Sequence, residues 1–396
     1  MISVELHRAH ATPVASGHPW VFAQAVAKVH GAPQDGDEVV VRDPFGKALG
    51  RGFWSAGSAI SVRLLTRDAE QAIDAAFVAR RVANAAAIRR SLGLPNAETS
   101  GYRLIHAEGD GLSGLIADVY GDTIVLQLLT AGMARRAAWV VEALNELLRP
   151  RAILATRPSA SRAQDDGADE GPSLSTLSGE APEALCFLER GLRFSVPAQT
   201  SQKTGYYFDQ REHRGEVERW ARDGAVLDAC SYIGGFSLAA ARGGARSVLA
   251  LDSSQPALDV GAQLARDNQL DNVTFRRADV RKELANMHEA GQNFDLVIFD
   301  PPKFVPTAKH LEKGRRIYRK LNAHAIGLTR PGGLLVTCSC SAAMSETDFL
   351  RMLALASGDV GRELCILRVG KQGPDHPLWP GFGEGSYLKT VFAVVR

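Results

Sequence analysis

Cysteine is scarce, with five residues in 396. The number is odd and no pair shows C-x-x-C spacing, which argues against a disulfide framework or a structural zinc cluster. Long apolar runs are missing too. Nothing approaches the ~20 residues that span a bilayer, and the opening "MISVELHRAHATPVASGHPW" lacks the apolar core of an export signal. No membrane partner is therefore expected, and the expected location is cytoplasmic. Charge of one sign is also lacking: a net +2 gives no general case for a nucleic-acid binder, so any basic surface must be local. What remains, 45% hydrophobic and 23% charged with 38 glycines and 18 prolines, is the composition of a soluble globular chain with room for two or three domains.

The first ~70 residues hold short β-type runs between turn residues, "GDEVVVRDPFGKALGRGFW" and "AISVRLLT", as a small β-barrel would. Residues 70–93 switch to a helical period rich in Ala and Arg and end at a Gly. Strand patterns return from Tyr102 and are followed by a helix in "RRAAWVVEALNELL", predicting a compact α+β insert. Residues 157–184 are rich in Ser, Gly, Pro and acids with no apolar period and read as a mobile loop or linker. Beyond about residue 195, "AVLDACS", "SVLALD", "VTFRRAD", "FDLVIFD" and "GGLLVTCS" alternate with helix-length stretches. That alternation predicts βαβ units and a mostly parallel, doubly wound sheet.

Ligands of such sheets bind beyond the carboxyl ends of the strands. Four successive strand runs close on acids there: Asp228, Asp252, Asp279 and Asp300. The first is followed by Cys230, Ser231, Tyr232, Ile233, Gly234, Gly235, where the glycines allow a tight turn and close approach to a ligand. Taken alone the same turn is equally a packed strand-to-helix connection. Asp252, 24 residues after Asp228, is spaced to take the hydroxyls of a ribose, while the turn carries no G-x-G-x-x-G to seat a pyrophosphate. A nucleoside-bearing cofactor fits better than a dinucleotide. "DPPKF" (300–304) fixes the backbone after Asp300 and leaves carbonyls without competing amides, an edge suited to a flat, amine-bearing base.

Together with "HPWVF" (18–22), "DGLSGLIADVYGD" (110–122), "KTGYYFDQREHR" (203–214), "VLDACSYIGGFSLAA" (226–240), "SCS" (339–341) and "GSYLK" (385–389), the chain resembles the bacterial 23S rRNA cytosine-C5 methyltransferases. These carry an N-terminal PUA domain and a class I S-adenosylmethionine-dependent domain. The resemblance implies an α/β fold of three parts: a β-barrel PUA-like RNA-binding domain over 1–72, a central α+β domain over 73–188 and a Rossmann-like methyltransferase domain over 189–396. It implies S-adenosyl-L-methionine as cofactor and no metal. The partner would be 23S rRNA or a large-subunit precursor, with a homodimer left open. By the same resemblance Asp228, Cys230, Ser231, Gly234 and Gly235 would line the methionine end of the cofactor, Asp252 and Ser253 the ribose, and Asp279 and Val280 the adenine. Asp300 would face cofactor and target base. Tyr206, Tyr207, Asp209 and Arg211 would contact cofactor or substrate, although that stretch alone could equally be aromatic packing.

Carbon 5 of cytosine is too weak a nucleophile to take a sulfonium methyl unaided, so a thiolate must first add to carbon 6. Cys338 and Cys340, two apart, could share a strand face, with Cys340 further toward the crevice. The family pattern puts the nucleophile in "SCS", at Cys340, and leaves Cys338 as a buried strand residue. Where related enzymes hold a second cysteine after the prolines, this chain has Lys303, read as a thiol activator, a phosphate contact or a solvated lysine. Guanine methylation needs no such cysteine, and a noncatalytic assembly factor needs neither the acids nor the thiol. Basic residues Arg42, Lys47, Arg51 and Arg63 interleave with Trp20, Phe45, Phe53 and Trp54, a mixture suited to irregular RNA, with the aromatics expected mainly in the barrel core.

Overall fold

A computed structural model describes residues 2–156, 174–198, 205–305 and 308–396. The chain forms two compact units, Met1–Asp209 with Pro374–Gly385, and Gln210–Gly373 with Ser386–Arg396. In the first, a six-stranded sheet runs in the order Trp20–Phe22, Ile60–Thr66, Ala48–Trp54, Glu38–Arg42, Ser3–Leu6, Val26–His30. Val4, Leu6, Val21, Val39, Val41, Val62 and Leu64 form its interior. A second core joins Phe53 and Leu65 from these strands to the helix Ala75–Ser91 and to a five-stranded sheet. The helix starts where the Asp74 carboxylate accepts the Phe77 amide at 2.7 Å, the cap its sequence calls for.

Pro374–Gly385 is held in the first unit by buried charges in pairs. Arg89 donates to both oxygens of Asp110 (2.5 and 2.8 Å) and to the Asp375 carbonyl at 2.7 Å. The Asp375 carboxylate accepts the Arg103 amide at 3.0 Å, and the ring of Phe382 meets that of Trp20 at 4.7 Å. Such pairing is what makes burial of an arginine tolerable.

One expectation is corrected. Leu174–Gly179, inside the stretch read as a linker, is a strand paired antiparallel with Ala152–Thr156. Backbone hydrogen bonding to a buried neighbour strand supplies the order that its Ser- and Gly-rich composition does not. Residues 157–173 of the same stretch lie outside the described residues.

In the second unit the strands are β1 (Ala225–Ala229), β2 (Ser247–Asp252), β3 (Val273–Arg277), β4 (Phe294–Phe299), β5 (Thr329–Ser339), β6 (Leu364–Gly370) and β7 (Lys389–Val395). Their order is β3-β2-β1-β4-β5-β7-β6, parallel except for β7, which runs antiparallel to β5 and β6. The helices are α1 (Arg211–Trp220), α2 (Gly235–Arg242), α3 (Gln255–Asp267), α4 (Val280–Glu289), α5 (Leu311–Leu328) and α6 (Glu346–Asp359). The central strands are buried on both faces, hence their continuous apolar runs. The order reverses between β1 and β4, the switch point where a crevice opens.

Candidate active site

The four acids stand in a row along the carboxyl edge of this sheet. Asp228 is the penultimate residue of β1 and Asp252 the last of β2, while Asp279 and Asp300 follow β3 and β4. Their surroundings differ. Asp228 is 1% exposed; Oδ2 accepts the Ser237 hydroxyl at 2.6 Å, and Oδ1 has no partner. Burial, added to by the nearby Asp300 and Asp252 charges and opposed by Ser237, pushes its carboxyl up to about 7. Ser231 is likewise buried with an unpartnered hydroxyl. Two orphaned polar groups on one strand-to-turn segment are costly unless a ligand satisfies them.

The turn itself is built for close approach. The amides of Cys230 and Ser231 both donate to the Leu251 carbonyl at 2.9 Å. Gly234 has φ +81°, and a Cβ there would stand 2.7 Å from the Phe275 ring; only glycine satisfies both demands. Gly235 then opens α2. Half-buried Asp252 accepts the Tyr232 and Ser254 amides at 2.9 Å each, which fixes the carboxylate while leaving lone pairs for hydroxyl donors. Ser253 is exposed. Asp279 is exposed and caps α4 through the Arg281 amide at 3.1 Å, and Val280 behind it is buried.

At the other end, Asp300 is half-buried between the Ala229 carbonyl, which its amide reaches at 3.4 Å, and Gln210, which donates to Oδ2 at 3.0 Å. Gln210 also reaches the Cys338 sulfur at 3.5 Å and accepts from Thr390 at 3.4 Å. Cys338 is fully buried in β5; burial first, then Asp300, push its thiol well above the ordinary range. Cys230 is pushed up in the same way by burial and by Asp252, Asp300 and Asp228. Cys340 lies one residue past β5 and is half-buried, between fully buried Ser339 and Ser341. The Ser339 hydroxyl donates to the Tyr318 hydroxyl at 3.3 Å. Lys303 is exposed.

Tyr206, Tyr207 and Asp209 belong to the first unit. Tyr206 is buried among Phe187, Phe194 and Phe208, with ring centroids 4.9 to 5.4 Å away, the packing that the sequence left open. Tyr207 and Asp209 are half-buried. Arg211, the first residue of α1, is 4% exposed and reaches Glu212 at 3.3 Å. Sequence reasoning missed Gln210, Ser237 and Lys389. Gln210 and Lys389 lie inside quoted motifs, but only the folded register shows Gln210 bridging Asp300 to Cys338 and Lys389 opposite Ser339.

Residues 141–371 match the model of an S-adenosylmethionine-dependent methyltransferase family, and residues 4–67 match that of a PUA-like domain. A ribosomal RNA large subunit methyltransferase I from Aeromonas salmonicida is 38% identical over 382 residues, covering 96% of each chain. One of the same name from Salmonella newport is 40% identical, covering 94% of this chain and 92% of that one. A methyltransferase solved with S-adenosylhomocysteine has the same fold over the full length of both chains, with a TM-score of 0.86 at 20% identity. The unpartnered Asp228 and Ser231 oxygens and the glycine turn fit such a cofactor, and the chain belongs to the S-adenosylmethionine-dependent methyltransferases that carry a PUA-like domain, the family of the ribosomal RNA large subunit methyltransferases I.

Proposed function

We propose that the protein methylates carbon 5 of a cytosine in 23S rRNA, as the free RNA or in a large-subunit precursor, in the cytoplasm, with Cys340 as nucleophile. The observation that carries this reading is the contrast among the thiols of the crevice. Cys230 and Cys338 are held protonated by burial and by neighbouring acids, whereas Cys340 stands half-open beyond the strand end. Bound S-adenosylmethionine supplies the methyl group as an electrophilic sulfonium. Asp228, Ser231 and the Gly234-Gly235 turn would hold its methionine end, Asp252 and Ser253 its ribose, and Asp279 and Val280 its adenine.

The Cys340 sulfur pair forms a bond to carbon 6, shifting the ring's π pair toward carbon 5. Asp300, positioned by Gln210, is suited to hydrogen-bond the base at N3, which favours this addition. The carbon-5 pair takes the methyl as its bond to the sulfonium breaks, leaving S-adenosylhomocysteine; loss of the carbon-5 proton to water then restores the double bond and the sulfur pair returns to Cys340. Docking of RNA is assigned to the N-terminal domain over 1–72. At the tip of its Glu38–Arg42/Ala48–Trp54 hairpin, Phe45 is 80% exposed, against 2% for Phe53. It departs from the barrel-core expectation because it stands in a tight turn, where Asp43 Oδ1 accepts the Phe45 and Lys47 amides at 2.9 Å. Arg8 lies 5.9 Å from its ring, and exposed Lys47 is near. An open ring among cations suits an unstacked base.

The test is to incubate the protein and S-adenosylmethionine with unmodified 23S rRNA, digest the RNA and identify the product by mass spectrometry. 5-Methylcytidine is expected; methylguanosine would refute the thiol chemistry.

A further inference from the structure

Lys389 opens β7 directly across from Ser339 in the antiparallel register. It is 2% exposed, among the largest buried side chains of the chain. Lysine is rarely buried without a paired charge. Here the ammonium donates to two neutral carbonyls, Ser341 at 2.6 Å and Tyr387 at 2.8 Å, and among the described residues it makes no ion pair. An ammonium has three donors, so one N–H and a full charge are left over. The Ser341 carbonyl belongs to the residue after Cys340, which fixes Nζ beside that thiol's backbone. Burial and the Lys371 ammonium bring Lys389 down to about 8, with Lys303 acting in the same sense; Cys340 and Glu346 pull the other way. Glu346 already pairs with Lys371. Tyr318 and Cys338, which also face Cys340, are pushed upward and stay neutral. Among the described groups that act on Lys389, Cys340 is then the one left to supply a negative charge.

We propose that Lys389 is the charge partner of the Cys340 thiolate, a positioning residue whose ammonium holds the sulfur ionised for attack. The inference rests on the proposed role of Cys340. The thiol proton leaves to solvent at the half-open side of Cys340, and the charge it leaves on Sγ is met by the ammonium. The freed sulfur pair then forms the bond to carbon 6 and returns to sulfur when that bond breaks, with the ammonium unchanged throughout. A lysine thereby avoids the cost of an uncompensated buried charge, and a thiol gains the cation that lowers its pKa.

The test is the rate of Cys340 alkylation by iodoacetamide as pH is varied in the full chain. Fragment-ion mass spectrometry separates Cys340 from Cys338, and exposed Cys186 serves as internal reference. The midpoint for Cys340 should lie below the ~8.5 of a free thiol. Lys389→Met should raise it by about one unit, slowing alkylation near neutral pH roughly tenfold, with Cys186 unchanged. Lys389→Arg, which keeps the charge, should retain the low midpoint and decides the case if Lys389→Met opens the fold. A wild-type midpoint in Lys389→Met, or a raised one in Lys389→Arg, overturns the proposal. The reaction needs neither RNA nor cofactor, so it stays separate from the product assay: methylguanosine would remove the cytosine reading without touching the alkylation result.

Discussion

The two ends of the crevice edge in the second unit are built on opposite electrostatic plans. Around β1 and β2, acids are buried or fixed with oxygen atoms to spare: Asp228 has an unpartnered oxygen and Asp252 is clamped by two amides. Around β5 and β7, a lysine is buried with charge to spare beside a half-open thiol. Each half leaves out the charge that its expected ligand or intermediate brings. By the proposed function the cofactor would carry an ammonium and hydroxyl donors to the first half, and the thiolate would form in the second. Binding and chemistry should therefore be separable by mutation.

Cys340→Ala is the largest expected effect and the sharpest test of that separation. Methyl transfer should fall by at least ~10³-fold, in the range seen when a covalent nucleophile is lost, while calorimetry shows cofactor binding unchanged. Cys338→Ala should keep most activity. Survival of the first variant and loss of the second would exchange the two cysteines.

Asp228→Asn should do the reverse, weakening S-adenosylmethionine binding by on the order of 10²-fold through loss of a buried charge-assisted hydrogen bond. The pH dependence follows from the same group. Its carboxyl is raised from 3.8 to about 7, so the folded chain keeps a proton that the unfolded chain has released. Stability from this group is lost as pH rises from about 4 to 7 and is constant above. A cationic ligand favours the ionised form, so affinity should climb with pH and level off above about 7. A flat affinity profile in the wild type, or a thermal stability of Asp228→Asn that drops instead of rising at pH 8, would remove Asp228 from this role.

Much of this contrast was legible in the sequence. Parallel strands buried on both faces must read as apolar runs, and the acids at their ends stand out because nothing in the core requires them. The turn glycines are forced by a positive φ and by the ring of Phe275, a local demand that sequence spacing reflects. The second half was less legible. Gln210 and Lys389 act through partners 90 and 48 residues away, and nothing local distinguishes a buried strand lysine from a solvated one. Tyr206 shows the converse, since an aromatic run beside a charged motif is the same pattern whether it meets a ligand or three phenylalanines. Leu174–Gly179 was missed because a strand of Leu, Ser, Thr and Gly gains its order from its neighbour.

Phe45→Ala extends the comparison to the first unit. It should weaken binding of rRNA fragments by roughly tenfold, the ~1–3 kcal/mol of one stacked base, with cofactor affinity unaltered. A point variant serves better than removal of residues 1–72, because Phe53 and Leu65 share a core with the helix that follows. Unchanged RNA binding would return the ring to the status of an exposed turn residue.

Lys303 gives the smallest expected effect and the finest division of the thiol half. Two roles compete for it, activation of Cys340 and contact with a phosphate. Its exposure sets it in a high dielectric, where salt screens a single charge within about 10 Å, whereas Lys389 is shielded. Lys303→Met should therefore leave the pH at which activity appears within about half a unit of wild type. It should reduce the steepness of the salt dependence of RNA binding by about 0.7, the contribution of one neutralised phosphate on a single strand. A pH profile displaced upward by a full unit, with an unaltered salt slope, would transfer the activating role from the buried lysine to the exposed one.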